Sequence, residues 1–351
     1  MNCKLPVLLL ALAQTLSALN VRDVAIYNDT DETQWPEGGA WPPLVEATRT
    51  LVEAKGYTWE YIDADDVNNN NLSDYYKLIF FPGGWAGGYN EYINQTGYQN
   101  IRDFISNGGS YMGMCAGSFF VCDLVYWREN YSEFETPQNI YDYPLDVWPG
   151  IADGAILDFQ PWDTVGDCFL YPGTRMTDLK VDTNLLPEAN PVVNVLYYGG
   201  PVFRPPGGKW GDTKVLARYE MDGFSADEFA AMILFPYGSG KVFLSAVHPE
   251  LSVRDTAGGG CELYYNLTAR RFLGQIMDRM LASEQIPTAD VAMGKLMRFD
   301  TLQGFQYQVQ SSPDGENWSD YGQVVNANSF EYSVWIPESD STLEFRLQLV
   351  N

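Results

Sequence analysis

The chain has 351 residues, of which 46% are hydrophobic, 15% aromatic and 19% charged. This length and composition are those of a packed globular protein with one large or two ordinary domains, and they exclude a disordered or repeat-biased chain. Its 21 Lys and Arg face 46 Asp and Glu, and the formal net charge of -25 would repel nucleic-acid phosphates and anionic lipids, so we expect neither as a partner.

The first residues predict an exported protein. An apolar run from Leu5 to Leu12 follows a lysine, and small residues come next at Ser17 and Ala18, as in a secretory signal peptide covering residues 1–18. The run is too short to span a bilayer, so we expect a protein that is secreted or held in the secretory-pathway lumen, with no membrane span. Asn-x-Ser/Thr sequons mark candidate glycosylation sites at Asn28, Asn71, Asn94, Asn130, Asn266 and Asn317.

Residues 19–283 alternate strand and helix signals. These signals are, in chain order, a strand at 21–27, a helix at 43–55, strands at 57–62 and 77–81, a helix at 93–106 and a strand at 109–114. Such alternation is typical of an α/β fold, with a mostly parallel sheet and helices on both faces. Shorter runs predict an antiparallel extension at 150–220 and a hairpin at 232–247, and a long helix at 261–281 closes the unit.

The pattern changes after a polar linker at residues 284–291. Three runs at 305–312, 330–336 and 343–350 alternate apolar and polar residues at period two and are separated by turn-rich segments. They predict that residues 292–351 form a small antiparallel, β-sandwich-like domain. Since this part has no His or Cys, we expect a structural role or a glycan contact rather than chemistry.

The strongest chemical signal is GMCAG at residues 113–117, where a predicted strand runs directly into a predicted helix. The flanking glycines permit the tight turn of a nucleophile elbow with Cys115 at its tip. We expect the amino end of the helix to favour the thiolate through its N–H groups and dipole. The alternative is a buried structural cysteine, which is what we expect of Cys122, seven residues along the same predicted helix.

The only histidine of the chain, His248, follows an apolar strand and precedes Glu250 by two residues. A thiol nucleophile needs a base within reach and a third group that orients the base. Since the carboxyl ends of neighbouring parallel strands meet at one edge of a sheet, we expect Cys115, His248 and Glu250 to form a catalytic set. The alternative is a histidine that only packs or caps.

A third signal is the glycine-rich loop after the strand at 77–81. Glycine lets backbone N–H groups approach a reacting carbonyl, and we expect the N–H groups of Gly84 and Ala116 to form an oxyanion hole. Gly83 and Trp85 are then expected to contact the substrate. A simple turn is the alternative, and no lysine follows as in a phosphate-binding P-loop.

The remaining cysteines predict a disulfide rather than a metal site. With Cys115 assigned to chemistry and Cys122 expected to be buried, Cys168 and Cys261 are the pair that we expect to form a bridge. The chain has one His and no Cys-x-x-Cys, so we expect no metal, and the chemistry described above needs no cofactor.

Taken together, FPGG at 81–84, GMCAG at 113–117 and HPE at 248–250 resemble the class I glutamine amidotransferase-like superfamily over residues 21–283. Within it, VAIYND, FPGGWAGGY, GMCAGSFF and YYGGPVF are similar to the amino-terminal domain of biotin-protein ligases. The resemblance implies a flavodoxin-like α/β sandwich with a Cys-His-Glu triad at Cys115, His248 and Glu250. One departure is Phe119, which stands where amidotransferases carry the Gln of a Cys-x-Gly-x-Gln pattern, so glutamine recognition is not expected.

These observations lead to three functional hypotheses. The first is a secreted amidotransferase-like hydrolase that attacks an amide or related acyl carbon of a small molecule or peptide, as the resemblance to exported gamma-glutamyl hydrolases implies. The second is a catalytically silent scaffold that holds a glycan or peptide on aromatic side chains. These side chains are Trp85, Trp148, Trp162, Tyr197 and Tyr198. The third is glutamine hydrolysis for an unknown partner.

Overall fold

The described part of the chain covers most of the predicted elements. The computed structural model describes residues 21–29, 39–128, 139–156, 171, 173–220, 229–256, 260–282, 294–300, 306–315, 317–321, 324–326, 331–337 and 343–350. Several predictions lie outside these residues, namely the signal peptide at 1–18, the linker at 284–291, the sequon at Asn130, Trp162 and Cys168.

The helices of the described residues are short and few. They are α1 (Pro42–Ala54), α2 (Ala64–Asn69), α3 (Ala86–Tyr92), α4 (Gln95–Ser106), α5 (Ala116–Phe119) and α6 (Leu267–Leu281), with 3-10 turns at Leu72–Asp74 and Pro206–Gly208. The predicted helices at 43–55 and 93–106 are confirmed as α1 and α4. Pro42 occupies the first turn of α1, where its missing N–H costs nothing, and the Asn94 side chain caps α4. None of the described helices has the length and apolarity that a membrane crossing requires.

The strands account for the larger part of the fold. They are β1 (Arg22–Tyr27), β2 (Trp59–Ile62), β3 (Tyr76–Phe81), β4 (Ser110–Met114), β5 (Cys122–Trp127), β6 (Asn139–Asp142), β7 (Trp148–Gly154), β8 (Thr174–Val181), β9 (Val192–Tyr198), β10 (Val202–Arg204), β11 (Lys214–Tyr219), β12 (Ala230–Tyr237), β13 (Gly240–Ser245), β14 (Ser252–Thr256), β15 (Gly260–Tyr264), β16 (Gly294–Asp300), β17 (Gln306–Ser312), β18 (Ser319–Asp320), β19 (Val325–Asn326), β20 (Glu331–Pro337) and β21 (Glu344–Val350).

One large sheet organises the molecule. Strands β2, β1, β3, β4 and β13 lie side by side in that order and are parallel. The sheet continues through β12, β10, β7, β5 and β6, mostly antiparallel, while β11, β8 and β9 extend from β12. A mixed α/β fold is therefore confirmed. Because β3, β4 and β13 run in one direction, their carboxyl ends meet at one edge of the sheet.

The parallel strands are hydrophobic on both faces because helices cover them. All five residues of β4 are buried, as are five of the six residues of β13, and near-continuous apolar runs of this kind are typical of buried parallel strands. Helices α1 and α6 are joined by a hydrogen bond from Arg270 Nη1 to the carbonyl of Ala47. Helices α2 and α4 are joined by one from Asn100 Nδ2 to the carbonyl of Val67.

The last part of the chain is antiparallel β structure, as predicted. Strand β16 pairs with β20, and β17 pairs with β18, β19 and β21. The three predicted runs correspond to β17, β20 and β21, so the strands that their period-two alternation predicts are confirmed. Strand β16, which lacks a comparably clear alternation, was not predicted.

Two predicted helices are wrong in extent. The helix expected at 261–281 begins only at Leu267, because Asn266 caps it and the preceding residues Gly260–Tyr264 form β15 against β14. The apolar spacing of the sequence also predicts a buried Leu267 in this helix, but Leu267 stands in its first turn and is 78% exposed. The helix expected to contain Cys122 ends at Phe119, and Cys122 starts β5 instead.

Candidate active site

Cys115 lies in the turn between β4 and α5. Its backbone angles are φ 46° and ψ −101°, a conformation that residues other than glycine rarely adopt. The Cys115 N–H donates to the carbonyl of Ser245 at 2.7 Å, and the Cys115 carbonyl accepts from the N–H groups of Ser118 and Phe119. Strand β13 and helix α5 thus hold the strained turn from both sides, as expected for a nucleophile elbow.

The helix after the elbow is shorter than expected. Helix α5 contains four residues, Ala116–Phe119, which is about one turn. Since the macrodipole grows with the number of aligned peptide units, the strong helix-dipole effect expected at Cys115 is not supported. Any activation of the thiol therefore depends on neighbouring side chains.

His248 and Glu250 are buried beside the elbow. Their side chains are 1% and 0% exposed, and His248 Nδ1 lies 3.0 Å from Oε1 of Glu250. The backbone N–H of His248 donates to the carbonyl of Leu196 at 2.8 Å, which ties this turn to β9. The side chain of Cys115 lies close enough to the imidazole to contribute to its raised pKa. The structure thus brings the three predicted residues together.

The surroundings of His248 favour its charged form. Burial alone would lower the pKa of the imidazole, but the Glu250 carboxylate and the hydrogen bonds with Cys115 and Glu250 outweigh burial and raise the pKa to about 10. The imidazole is therefore protonated at neutral pH. The second carboxylate oxygen of Glu250 is buried and has no hydrogen-bond partner among the described residues.

The thiol itself is nearly covered. Cys115 is 6% exposed, and its Sγ donates to the carbonyl of Tyr198 at 3.5 Å. Burial, together with the neighbouring Cys115 and Tyr171, raises the pKa of the Tyr198 hydroxyl. Tyr198 was predicted as a ligand-binding aromatic residue, and it does lie at the thiol.

The glycine-rich loop packs directly against this group. A Cβ added at Gly83 would collide with Cε1 of His248 and lie 2.6 Å from Cδ1 of Leu44, so a side chain cannot fit there. Gly84 has a φ of 153°, and a Cβ there would collide with the carbonyl oxygen of Gly39. Two hydrogen bonds fix the loop, from Trp41 N–H to the Gly83 carbonyl at 2.9 Å and from Trp85 N–H to the Gly39 carbonyl at 2.7 Å.

The two expected oxyanion donors are unoccupied by the protein. Within the described ranges, neither the N–H of Gly84 nor that of Ala116 has a hydrogen-bond partner. Ala116 follows the nucleophile directly, and Gly84 lies in the loop that touches His248. Both N–H groups can therefore donate a hydrogen bond to an acceptor atom of a bound molecule.

Other predicted residues divide between the site rim and the core. Trp85 is 49% exposed at the end of the glycine-rich loop. By contrast, Trp148 is 1% exposed and packs on Phe203, and Tyr197 is 0% exposed and donates to the carbonyl of Gly200, so both belong to the core. Their prediction as ligand-binding residues is not supported, because burial leaves them no free face.

The predicted disulfide and sequons are partly visible. Cys261 is disulfide-bonded, while its predicted partner Cys168 lies outside the described residues. Among the sequons, Asn71, Asn94 and Asn317 are exposed and Asn28 and Asn266 are partly exposed. Whether any of them carries a glycan stays a prediction.

Two residues of the site were not predicted. Trp41 reaches it from the start of α1. Arg270 reaches it from α6, where Nη1 donates to the carbonyl of Glu250 at 2.9 Å, Nη2 to Oγ1 of Thr50 at 3.1 Å, and the guanidinium lies 4.1 Å over the Tyr265 ring. No motif marks either residue, because both arrive through helix packing.

Comparison with known proteins identifies one matching family. The model of the family described as "Biotin-protein ligase, N terminal" matches residues 23–269. The biotin-protein ligase of Schizosaccharomyces pombe is 29% identical over 196 residues, which is 56% of this chain and 29% of the ligase. An uncharacterised protein of Chlamydia muridarum is 25% identical over 175 residues, 50% of this chain and 60% of that protein. The chain thus spans less than two thirds of either relative.

Similarity to solved structures is weaker. A β-galactosidase from Bacillus circulans sp. alkalophilus aligns with 95% of this chain and 42% of its own, at 12% identity and a TM-score of 0.42. A likeness of this size has no bearing on function.

The family match corrects the expected activity. A ligase forms a bond, whereas the expected secreted amidotransferase-like hydrolase with a catalytic triad breaks one, so that expectation is wrong. The same match gives no support to the alternative of a catalytically silent scaffold for a glycan or peptide. A location outside the cell or in the secretory-pathway lumen stays a prediction.

Proposed function

The chain belongs to the biotin-protein ligase N-terminal family, and from this membership we propose that it takes part in ligase-type acyl transfer. In this proposal Cys115 receives an acyl group from an activated donor and passes it to an amine. The relative's name supports the acyl class, since a biotin-protein ligase joins the acyl group of biotin to a protein. The direction of the chemistry is transfer to an acceptor, not release to water.

One observation carries the proposal, namely the contact of a strained thiol with a buried, charged imidazole. Cys115 sits at φ 46° close enough to His248 to help raise the pKa of the imidazole, and His248 Nδ1 lies 3.0 Å from Oε1 of Glu250. A protonated imidazole beside a thiol is an arrangement that activates cysteine nucleophiles. A purely structural cysteine would need neither the strain nor the buried ion pair.

The residues support a two-step transfer. In the first step the Cys115 sulfur forms a bond with the acyl carbon, and the bond from that carbon to the leaving group breaks. The leaving group takes the proton that the charged His248 already carries, and the thiol proton of Cys115 replaces it on the imidazole. In the second step an amine attacks the thioester, the C–S bond breaks, and the proton of the amine passes through His248 to the sulfur. Glu250 orients the imidazole and stabilises its charge throughout.

The loop residues support the same steps. In each step negative charge develops on the acyl oxygen, and the unpaired N–H groups of Gly84 and Ala116 are proposed to hold it. Gly83 keeps the imidazole close because it has no side chain, and Trp85 is proposed to contact the bound acyl group at the rim. None of these roles needs a metal or a cofactor.

We also propose the finer architecture. Residues 19–283 are proposed to form a flavodoxin-like domain, and the strand order β2-β1-β3-β4-β13 supports this because it corresponds to a doubly wound order. A linker at 284–291 and a β domain at 292–351 complete the proposed division. The disulfide at Cys261 supports an oxidising compartment such as the secretory-pathway lumen.

Acylation of Cys115 by an activated ester tests this function. We expect the p-nitrophenyl ester of biotin to release nitrophenol and to add one biotinyl group to the protein, which intact-mass measurement and peptide mapping place on Cys115. His248→Gln should slow acylation by about 100-fold or more, since it removes the general acid-base group. No adduct on Cys115, or an adduct formed equally fast in His248→Gln, would contradict the proposal.

A further inference from the structure

Arg270 is a buried cation that connects helices α1 and α6 to the turn that carries His248 and Glu250. It is 8% exposed. Its Nη1 donates to the carbonyls of Ala47 and Glu250, both at 2.9 Å, and its Nη2 donates to Oγ1 of Thr50 at 3.1 Å. A planar guanidinium bridges several acceptors at fixed angles, which a flexible ammonium does not. Arg270 thus fixes the turn against two helices.

The Glu250 carboxylate is held by its main chain more than by its own oxygens. Oε1 lies 3.0 Å from Nδ1 of His248, and Oε2 is buried with no hydrogen-bond partner among the described residues. In the same described ranges no backbone N–H donates to the Glu250 carbonyl, and Arg270 supplies the hydrogen bond that this carbonyl accepts. The position of the carboxylate therefore depends on where Arg270 holds the Glu250 main chain.

The charge of the imidazole depends on the groups that surround it. Burial lowers the pKa of His248, whereas Glu250 from the same turn and Cys115 from the elbow raise it, and Glu250 has the largest of the favourable effects. Burial also lowers the pKa of the Arg270 guanidinium, while Tyr265 and Glu250 act in the opposite direction. Three phenols whose pKa values are raised by burial interact with the thiol from α3, β9 and β11, namely Tyr89, Tyr198 and Tyr219.

We propose that Arg270 is a positioning residue of this site, which keeps the Glu250 carboxylate against His248 by holding the Glu250 main chain. Arg270 acts through Glu250, and the result is an imidazole that stays charged beside Cys115. This inference rests on the proposed function for its chemical consequence and adds a residue to the same site. A merely structural Arg270 would tie α6 to α1 without affecting His248.

The protonation of His248 can be measured directly, because the chain contains a single histidine. NMR titration of the untagged protein labelled with 13C-histidine gives the pKa of this one imidazole without any acyl donor. We expect a value of about 10 in the unsubstituted protein. In Arg270→Met the value should fall by about one pH unit or more, because a displaced carboxylate stabilises the imidazolium less.

The direction of the change separates positioning from charge. Arg270→Met also removes a cation, and the loss of a nearby cation by itself would raise the pKa of His248. Arg270→Lys keeps the cation and a donor in the same buried place, but a single ammonium does not reproduce the bridging geometry of the guanidinium. The pKa of His248 should therefore fall in Arg270→Lys too, and this variant carries the test if Arg270→Met does not fold.

Arg279→Met is the matched control on the same helix. Arg279 is 2% exposed, its Nη1 donates to the carbonyl of Leu185 at 2.8 Å, and its Nη2 pairs with Glu188, so its partners do not belong to the site. Burial lowers its pKa as it does that of Arg270. Both methionine variants should lower the free energy of unfolding, since each leaves buried acceptors without a donor. Only Arg270→Met should change the pKa of His248.

The titration decides the inference. A pKa of His248 that stays unchanged or rises in the folded Arg270 variants overturns it, as does an equal fall in Arg279→Met. These outcomes leave the proposed function standing, because the titration involves no acyl transfer.

Acylation of Cys115 by the p-nitrophenyl ester of biotin gives the chemical readout. It should slow about tenfold in Arg270→Met and keep its rate in Arg279→Met, since only the first variant displaces a group of the site. Equal rates in the two variants overturn the role of Arg270. No acylation in the unsubstituted protein overturns the proposed function instead, and not the positioning of Glu250.

Discussion

Two cysteines seven residues apart occupy opposite kinds of environment. Cys115 is 6% exposed, has a φ of 46° and reaches His248. Cys122 is fully buried at the start of β5, where its Sγ donates to the carbonyl of Ser118 at 3.1 Å, and burial raises the pKa of its thiol well above the ordinary value. Both are free thiols.

The difference between them shows what makes a cysteine a candidate nucleophile. Burial is common to both side chains, so burial does not separate them. What separates them is a strained turn at the end of a parallel strand and a charged imidazole within reach. A thiol in an apolar surrounding stays protonated and inert, whereas a thiol beside an imidazolium can lose its proton.

The largest expected effect concerns thiol reactivity. Cys115→Ala should lower iodoacetamide labelling of the native protein by about 100-fold or more, whereas Cys122→Ala should leave labelling within about twofold of the original, since Cys115 lies beside the charged imidazole and burial raises the pKa of the Cys122 thiol. Mass spectrometry of the labelled peptides measures both. Labelling that persists in Cys115→Ala and disappears in Cys122→Ala would reverse the comparison.

A smaller loss is expected from a methyl group placed against the imidazole. In Gly83→Ala the new Cβ collides with His248, so the ring must shift away from the thiol and acylation of Cys115 should fall about tenfold to 100-fold. Gly274→Ala is the matched control, because the Cβ there meets the flexible side chain of Lys55 at 3.1 Å and Cδ1 of Leu51 at an ordinary contact distance of 3.8 Å. If the two variants react alike, the packing of Gly83 on His248 has no role in the chemistry.

The charge of His248 predicts how stability depends on pH. The folded-state pKa of about 10 lies above the ordinary 6.5, so the folded state binds a proton more tightly than the unfolded state. The resulting stabilisation is fully present below about pH 6.5 and is lost as the pH rises to about 10. Urea unfolding at pH 6, 8 and 10 should show this loss in the original protein and in Cys122→Ala, and much less of it in His248→Gln. If the free energy of unfolding changes with pH in the same way in all three proteins, the charge of His248 does not contribute to stability.

The smallest expected effect concerns the backbone conformations of Cys115 and Cys122. At Cys115 a glycine relieves the strain at positive φ, so Cys115→Gly should be more stable than Cys115→Ala by about 1 kcal/mol. At Cys122 the backbone is that of a strand, so the order reverses and Cys122→Ala should be more stable than Cys122→Gly by about 1 kcal/mol. Free energies of unfolding measure both differences. If the Gly variant is the more stable one at both positions, or the less stable one at both, the backbone at Cys115 is not strained.

Much of the site follows from local sequence. The elbow at Cys115, the turn at His248 and the loop at Gly83 each follow a predicted strand, and the carboxyl ends of parallel strands meet at one edge. The predicted convergence of Cys115 with His248 is therefore a consequence of topology. The glycines could be identified because close backbone approach leaves no room for a side chain.

The remainder depends on packing that no local pattern records. Trp41 and Arg270 reach the site from helices α1 and α6. Trp41 contacts Gly83, which is more than 40 residues away in sequence, and Arg270 contacts Ala47, which is more than 200 residues away. The apolar residues near position 263 are compatible with a helix and with a strand. The cap at Asn266 decides where α6 begins. The expected reaction was wrong because the same side chains can serve hydrolysis or transfer.

The fate of the acyl group on Cys115 tests the central claim most directly. A protein acylated with the p-nitrophenyl ester of biotin is freed of excess ester and exposed to a lysine-containing peptide in water, and the biotinyl peptide and free biotin are then quantified. The account predicts that the biotinyl peptide exceeds free biotin and that His248→Gln abolishes this excess. Free biotin as the sole product, or no acyl-Cys115 to begin with, would contradict it.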